Sequence, residues 1–95
     1  MNICEYCDIV NAQLVIRYYP NQRQRFSCSF EYGELSEGHC LVSNHGNGKT
    51  PSDAINDYVS QIVGKRMVFN AMSDRRREFD IPEQLEGLPK SLELA

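Results

Sequence analysis

The sequence predicts an α+β fold, an antiparallel β-sheet with one main helix on one face, in the order β-β-β-α-β-β. Three observations carry this reading. Apolar and polar residues alternate through residues 14–32, the period changes to 3.6 over residues 54–63, and short apolar runs resume before Pro82. A chain of 95 residues, 41% hydrophobic and 24% charged, has material for one core. It reads as a single domain over 1–95, with an N-terminal segment (1–10) and a C-terminal tail (83–95) at its periphery.

In the first strand Leu14, Ile16 and Tyr18 share one face, and Val15, Arg17 and Tyr19 the other. Pro20-Asn21-Gln22-Arg23 supplies a turn, and the return strand sets Phe26, Cys28, Phe30 and Tyr32 against Ser27, Ser29 and Glu31. Such a pair is an antiparallel hairpin with one buried face. Gly33 to Gly38 reads as a turn, followed by a third strand from His39 to Ser43. The helix is the best-marked element. Ala54, Ile55, Tyr58, Val59, Ile62 and Val63 form one apolar stripe, Thr50 is the N-cap, Pro51 the first helical residue, and Asp53 faces the positive end of the dipole. Gly64 ends it, with Lys65 and Arg66 beside the negative end. Met67–Asn70 and Glu78–Ile81 complete the sheet, joined by a loop carrying Asp74 and Arg75-Arg76-Arg77. Leu85, Leu88, Leu92 and Leu94 are interrupted by Gly87 and Pro89, which limits any tail helix to a short one.

The chemical motifs point away from catalysis. Ser43-Asn44-His45-Gly46-Asn47-Gly48-Lys49-Thr50 ends like a phosphate-binding loop, but Ser43 stands where the first glycine belongs and Pro51 removes an N–H donor. No Ser or Cys lies in a nucleophile turn, and no carboxylate pair flanks His39 or His45. No enzyme, no metal and no cofactor is therefore expected. The alternative weighed for the cysteines is zinc held by Cys4 and Cys7 with two of His39, Cys40 and His45, since a C-x-x-C spacing supplies half a tetrahedral site. Cys28, in phase with Phe26 and Phe30, reads as a core residue.

Ten basic against thirteen acidic residues give a net charge of −3 and a pI near 5.3, a balance that does not favour a polyanionic partner. No apolar run approaches the ~18 residues of a membrane helix, and Met1-Asn2-Ile3-Cys4-Glu5 lacks the basic start of a signal peptide, so the cytoplasm is the expected location. Two surfaces stand out as partner-binding candidates. One is the acidic turn of Glu31, Glu34 and Glu37 flanked by Tyr32 and Leu35; the other is the run Arg75, Arg76 and Arg77, to which Lys65 and Arg66 could add. Arg17, Tyr18, Tyr19 and Arg23 make a further aromatic and basic group at the first hairpin. An exposed edge, Arg66–Asn70 or Leu14–Tyr19, leaves both a monomer and a homodimer open.

From Arg25 to Ile62, a hairpin, a third strand and Gly46-x-Gly48-x-Thr50-Pro51-x-x-Ala54-Ile55 resemble the C-terminal half of the double-stranded-RNA-binding domain. They are equally similar to the β-β-β-α unit of HicB-type antitoxins. The resemblance implies a fold more than a function, because Ser52, Asp53, Asn56 and Asp57 stand where the RNA-binding domains carry lysines, and only Lys49 fits. In size, acidity and lack of motifs the chain also resembles short proteins of bacteriophages and mobile elements, including anti-CRISPR inhibitors of host defence. That likeness implies a non-enzymatic protein-binding module in the host cytoplasm, masking the surface of a host or defence protein complex. The alternative is a nucleic-acid-binding accessory protein or a HicB-like antitoxin subunit; a membrane partner is not expected.

Overall fold

The computed structural model describes residues 1–88, and the fold is α+β with two antiparallel sheets. In chain order the elements are α1 (Ile3–Val10), β1 (Leu14–Tyr18), β2 (Phe26–Phe30), β3 (Gly33–Glu37), β4 (Cys40–Val42), β5 (Gly46–Gly48), α2 (Pro51–Ile62), β6 (Arg66–Phe69) and β7 (Arg77–Asp80). Strands β1-β2-β5 form one sheet and β4-β3-β6-β7 the other. This order differs from β-β-β-α-β-β in three places: α1, β3 and β5 are additional. The hairpin holds, with Leu14 opposite Phe30 and Tyr18 opposite Phe26.

The N-terminal segment is not peripheral. Asn2 caps α1 through a capping box, its side chain accepting from Glu5 N–H while Glu5 accepts from Asn2 N–H, both at 3.0 Å. Ile3, Tyr6 and Val10 then fall on one face and enter the core, so residues 1–10 supply a wall of it. Leu85 is also buried; Leu92, Leu94 and any tail helix lie outside the described residues.

The segment read as a turn from Gly33 to Gly38 is instead β3, an interior strand between β4 and β6. Leu35 drives this, for it is 1% exposed and opposite Met67 and Val42 on the core face. The third strand expected at His39–Ser43 is the short, exposed edge β4. Met67–Asn70 lies in or beside β6, which is interior; of the two edges considered for pairing with a second copy, only β1 is an edge.

Helix α2 follows its sequence signals closely. Thr50 Oγ1 accepts from Asp53 N–H at 3.1 Å, Pro51 opens the helix, and Gly64 follows its end with φ +73°. Ala54, Ile55, Tyr58, Val59 and Ile62 are buried, each large aliphatic among them contributing roughly 1.5–3 kcal/mol by leaving water. The helix lies directly on β5. A Cβ at Gly46 would stand 2.2 Å from Ala54 O and one at Gly48 2.5 Å from Ala54 N, so the Gly-x-Gly pair serves the close approach of strand to helix. The outer edge of β5 is partly closed as well. Asn47 N–H donates to Asp57 Oδ2 at 2.8 Å and Gln61 Nε2 to His45 O at 3.0 Å, so side chains of α2 occupy part of the ladder a second chain would use there. Beyond the end of β5, Tyr58 takes over: its Oη accepts Phe30 N–H at 3.2 Å.

Candidate functional site

The two sheets meet at Glu31-Tyr32-Gly33. Phe30 is in the core and Gly33 starts β3, where a Cβ would come within 2.9 Å of Phe30 Cβ; glycine is the residue that fits this bend. Tyr32 between them does not continue the alternation of β2. It adopts φ +59° and is 72% exposed, while its carbonyl accepts Asn70 N–H at 3.1 Å. A left-handed backbone costs an ordinary residue roughly 1–2 kcal/mol, and here that backbone holds an aromatic side chain out in solvent.

Three depressions share Tyr32. One of about 310 Å³ runs between Arg17, Ser29, Glu31, Glu34 and the segment Ser43 to His45. A second, about 320 Å³ and largely apolar, is bounded by Glu34, Asn70, Ala71, Met72 and Ser73. The smallest, about 160 Å³, reaches Asn11, Phe69 and Arg77. Met72 is fully exposed and was missed in the sequence, because one methionine in a loop gives no periodic signal.

The acidic group survives in part. Glu31 and Glu34 flank Tyr32; Glu34 stands opposite Val68 on the outer face of its sheet. Glu37 is at the far end of β3, paired with Lys65 at 3.3 Å. Leu35 is corrected outright: it is a core residue and cannot anchor a partner.

The arginine run does not form one patch. Arg75 is exposed and makes no ion pair among the described residues. Arg76 pairs with Glu78 at 3.1 Å, and Arg66 reaches Glu78 and Asp80, each at 2.9 Å. Hydrogen bonding from Arg66 and then Arg76 holds the Glu78 carboxyl below its usual range. Arg77 turns inward. Its guanidinium donates to Val10 O and, at 3.1 Å, to Asn11 O, capping the C-terminus of α1, which has no basic residue of its own in its last turn. It also lies 5.3 and 5.4 Å from the ring centres of Phe69 and Phe79.

Cys4 and Cys7 are half-buried on α1, while His39, Cys40 and His45 are exposed around β4 and before β5. Among the described residues no group of three or more His, Cys, Asp or Glu could hold a metal ion, so the zinc set is not assembled. Burial pushes the Cys7 thiol up to about 11 and the Cys28 thiol to about 12, which keeps both protonated at neutral pH. No helix among the described residues is long and apolar enough to cross a membrane. Comparison with protein families, curated proteins and solved structures returns no match for this chain.

Proposed function

We propose that the chain is a protein-binding module that works by surface contact, with Tyr32 and Met72 as anchors inside a rim of Glu31 and Glu34. The observation that carries this is the strained, exposed Tyr32 at the meeting point of three depressions. Tyrosine offers a large contact area at small entropic cost, and an adaptable methionine beside it suits a socket of imperfect fit. The carboxylates would steer a partner whose surface is basic around an apolar recess. Under the resemblance to phage-encoded inhibitors, that partner is a host or defence protein.

Substituting Tyr32→Gly tests the reading cleanly, because glycine accepts φ +59° without strain. Thermal melting should stay within a few degrees of wild type. Proteins retained from a bacterial lysate by the immobilised wild type should be lost with Tyr32→Gly and weakened by Met72→Ser, while Arg75→Gln leaves them bound. Retention of the same proteins by Tyr32→Gly would refute it.

A further inference from the structure

The outer face of the β1-β2-β5 sheet, opposite α2, has a different character from the Tyr32 junction. Alternation and register place Arg17 beside Ser27 and Ser27 beside Asn47 on that face. Tyr19 N–H donates to Arg25 O at 2.6 Å, which extends the β1–β2 ladder one step, and Lys49 directly follows Gly48, the last paired residue of β5. Tyr19 and Arg25 thus form one row, with Lys49 just beyond the end of β5, and Arg17, Ser27 and Asn47 form the next row, roughly 7 Å away. Ser27 and Ser29 keep the floor low between the longer side chains.

Charge is segregated sharply here. Arg17, Arg23, Arg25 and Lys49 are exposed, and none makes an ion pair or side-chain hydrogen bond among the described residues. Lys65, Arg66, Arg76 and Arg77 are all engaged elsewhere. Between Asp8 and Glu31 the sequence has no acidic residue. Of the nearest carboxylates, Asp57 is held by Asn47 N–H and Gln61, Asp53 sits at the first turn of α2, and Glu31 lies at the far end of the face. The net charge of −3 therefore hides a cationic end with an exposed aromatic ring, Tyr19 at 46%, set among the cations.

We infer that this face binds single-stranded nucleic acid, with Arg17, Arg25 and Lys49 on successive phosphates and Tyr19 stacked on an unpaired base. Cations alone would suit any polyanion. The ring among them, on the sheet face opposite α2 where the longer side chains cover the buried Ser27 and Ser29, selects unpaired bases. The inference does not rest on the Tyr32 reading: Tyr19, Arg25 and Lys49 line none of the three depressions, although Arg17, Ser29 and Glu31 border both surfaces.

Fluorescence anisotropy with labelled oligo-dT and oligo-rU of about 12 nucleotides, against a duplex of equal length, tests it. Binding should weaken with salt, log K falling with log salt at a slope of roughly −2 to −3, as expected for three to four phosphate contacts on a single strand. Arg17→Gln with Arg25→Gln should cost at least tenfold in affinity and flatten the slope by about 1.4. Tyr19→Ala should cost about fivefold or more and leave the slope unchanged. Arg75→Gln should have no effect. Absence of binding at low salt, or equal binding of duplex with Tyr19→Ala silent, would overturn the inference.

Discussion

Removing the Arg77 side chain should destabilise the protein far more than removing its neighbours in the same run. Arg77→Ala deletes two charge-assisted hydrogen bonds to the last carbonyls of α1, a favourable charge at the negative end of that helix, and contacts with the faces of Phe69 and Phe79. Hydrogen bonds from charged donors are worth about 1.5–3 kcal/mol each, the dipole term about 0.3–1, and each ring contact about 0.5–1. These overlap, and Arg77 is only half-buried, so a net loss of about 2–4 kcal/mol is expected. For a domain of this size that lowers Tm by roughly 8–30 °C. Urea unfolding followed by circular dichroism measures the loss, and amide exchange localises it to α1. Arg77→Lys keeps the charge without the planar fork and should recover less than half. Arg75→Ala, at an exposed position without an ion pair, should stay within ~0.5 kcal/mol. If Arg77→Ala also stays within ~0.5 kcal/mol of wild type, its role as the cap of α1 is wrong.

Gly46→Ala should unfold the domain or cost well over 3 kcal/mol by urea titration, because its Cβ has no space between Ala54 O and Tyr58 N. Tyr58→Phe should cost about 1–3 kcal/mol by stranding Phe30 N–H. Burial pushes the Tyr58 hydroxyl up to about 12 from its ordinary 10.0. The unfolded chain therefore ionises first, and this contribution is complete below pH 10 and lost between pH 10 and 12; Tyr58→Phe should show a flatter alkaline limb in a melting series. Iodoacetamide should label exposed Cys40 in the folded protein and reach Cys28 only in denaturant, as mass spectrometry of timed digests would show.

What the sequence made legible follows the strength of its local signals. Helix α2 carried a cap, a proline, a stripe and a terminal glycine that all agreed, and its bounds differ little from expectation. The N-terminal helix is signed by Asn2-x-x-Glu5 and by Ile3, Tyr6 and Val10, but the same segment holds a C-x-x-C spacing that reads equally as half a metal site. Strand β3 was hidden by its flanking glycines and by having one buried residue, Leu35, so its identity is set by pairing with β6 far along the chain. The candidate site was harder still. Charges on the arginine run read alike in sequence, and only tertiary packing separates Arg77, turned onto α1, from Arg75, left in solvent.

The glycines of β5 also govern the fidelity of strand alignment. Gly46 and Gly48 face α2 and pair with Cys28 and Phe26, whereas Asn47 between them pairs with Ser27 on the opposite face. A slip of β5 by one residue would carry Asn47 into the position of Gly46, where even a Cβ would meet Ala54 O at 2.2 Å. A one-residue slip is thus opposed by volume, in addition to the hydrogen bonds that α2 makes to this strand. Since β2 is the middle strand of that sheet, two residues with no side chain fix how its central strand is read against the helix.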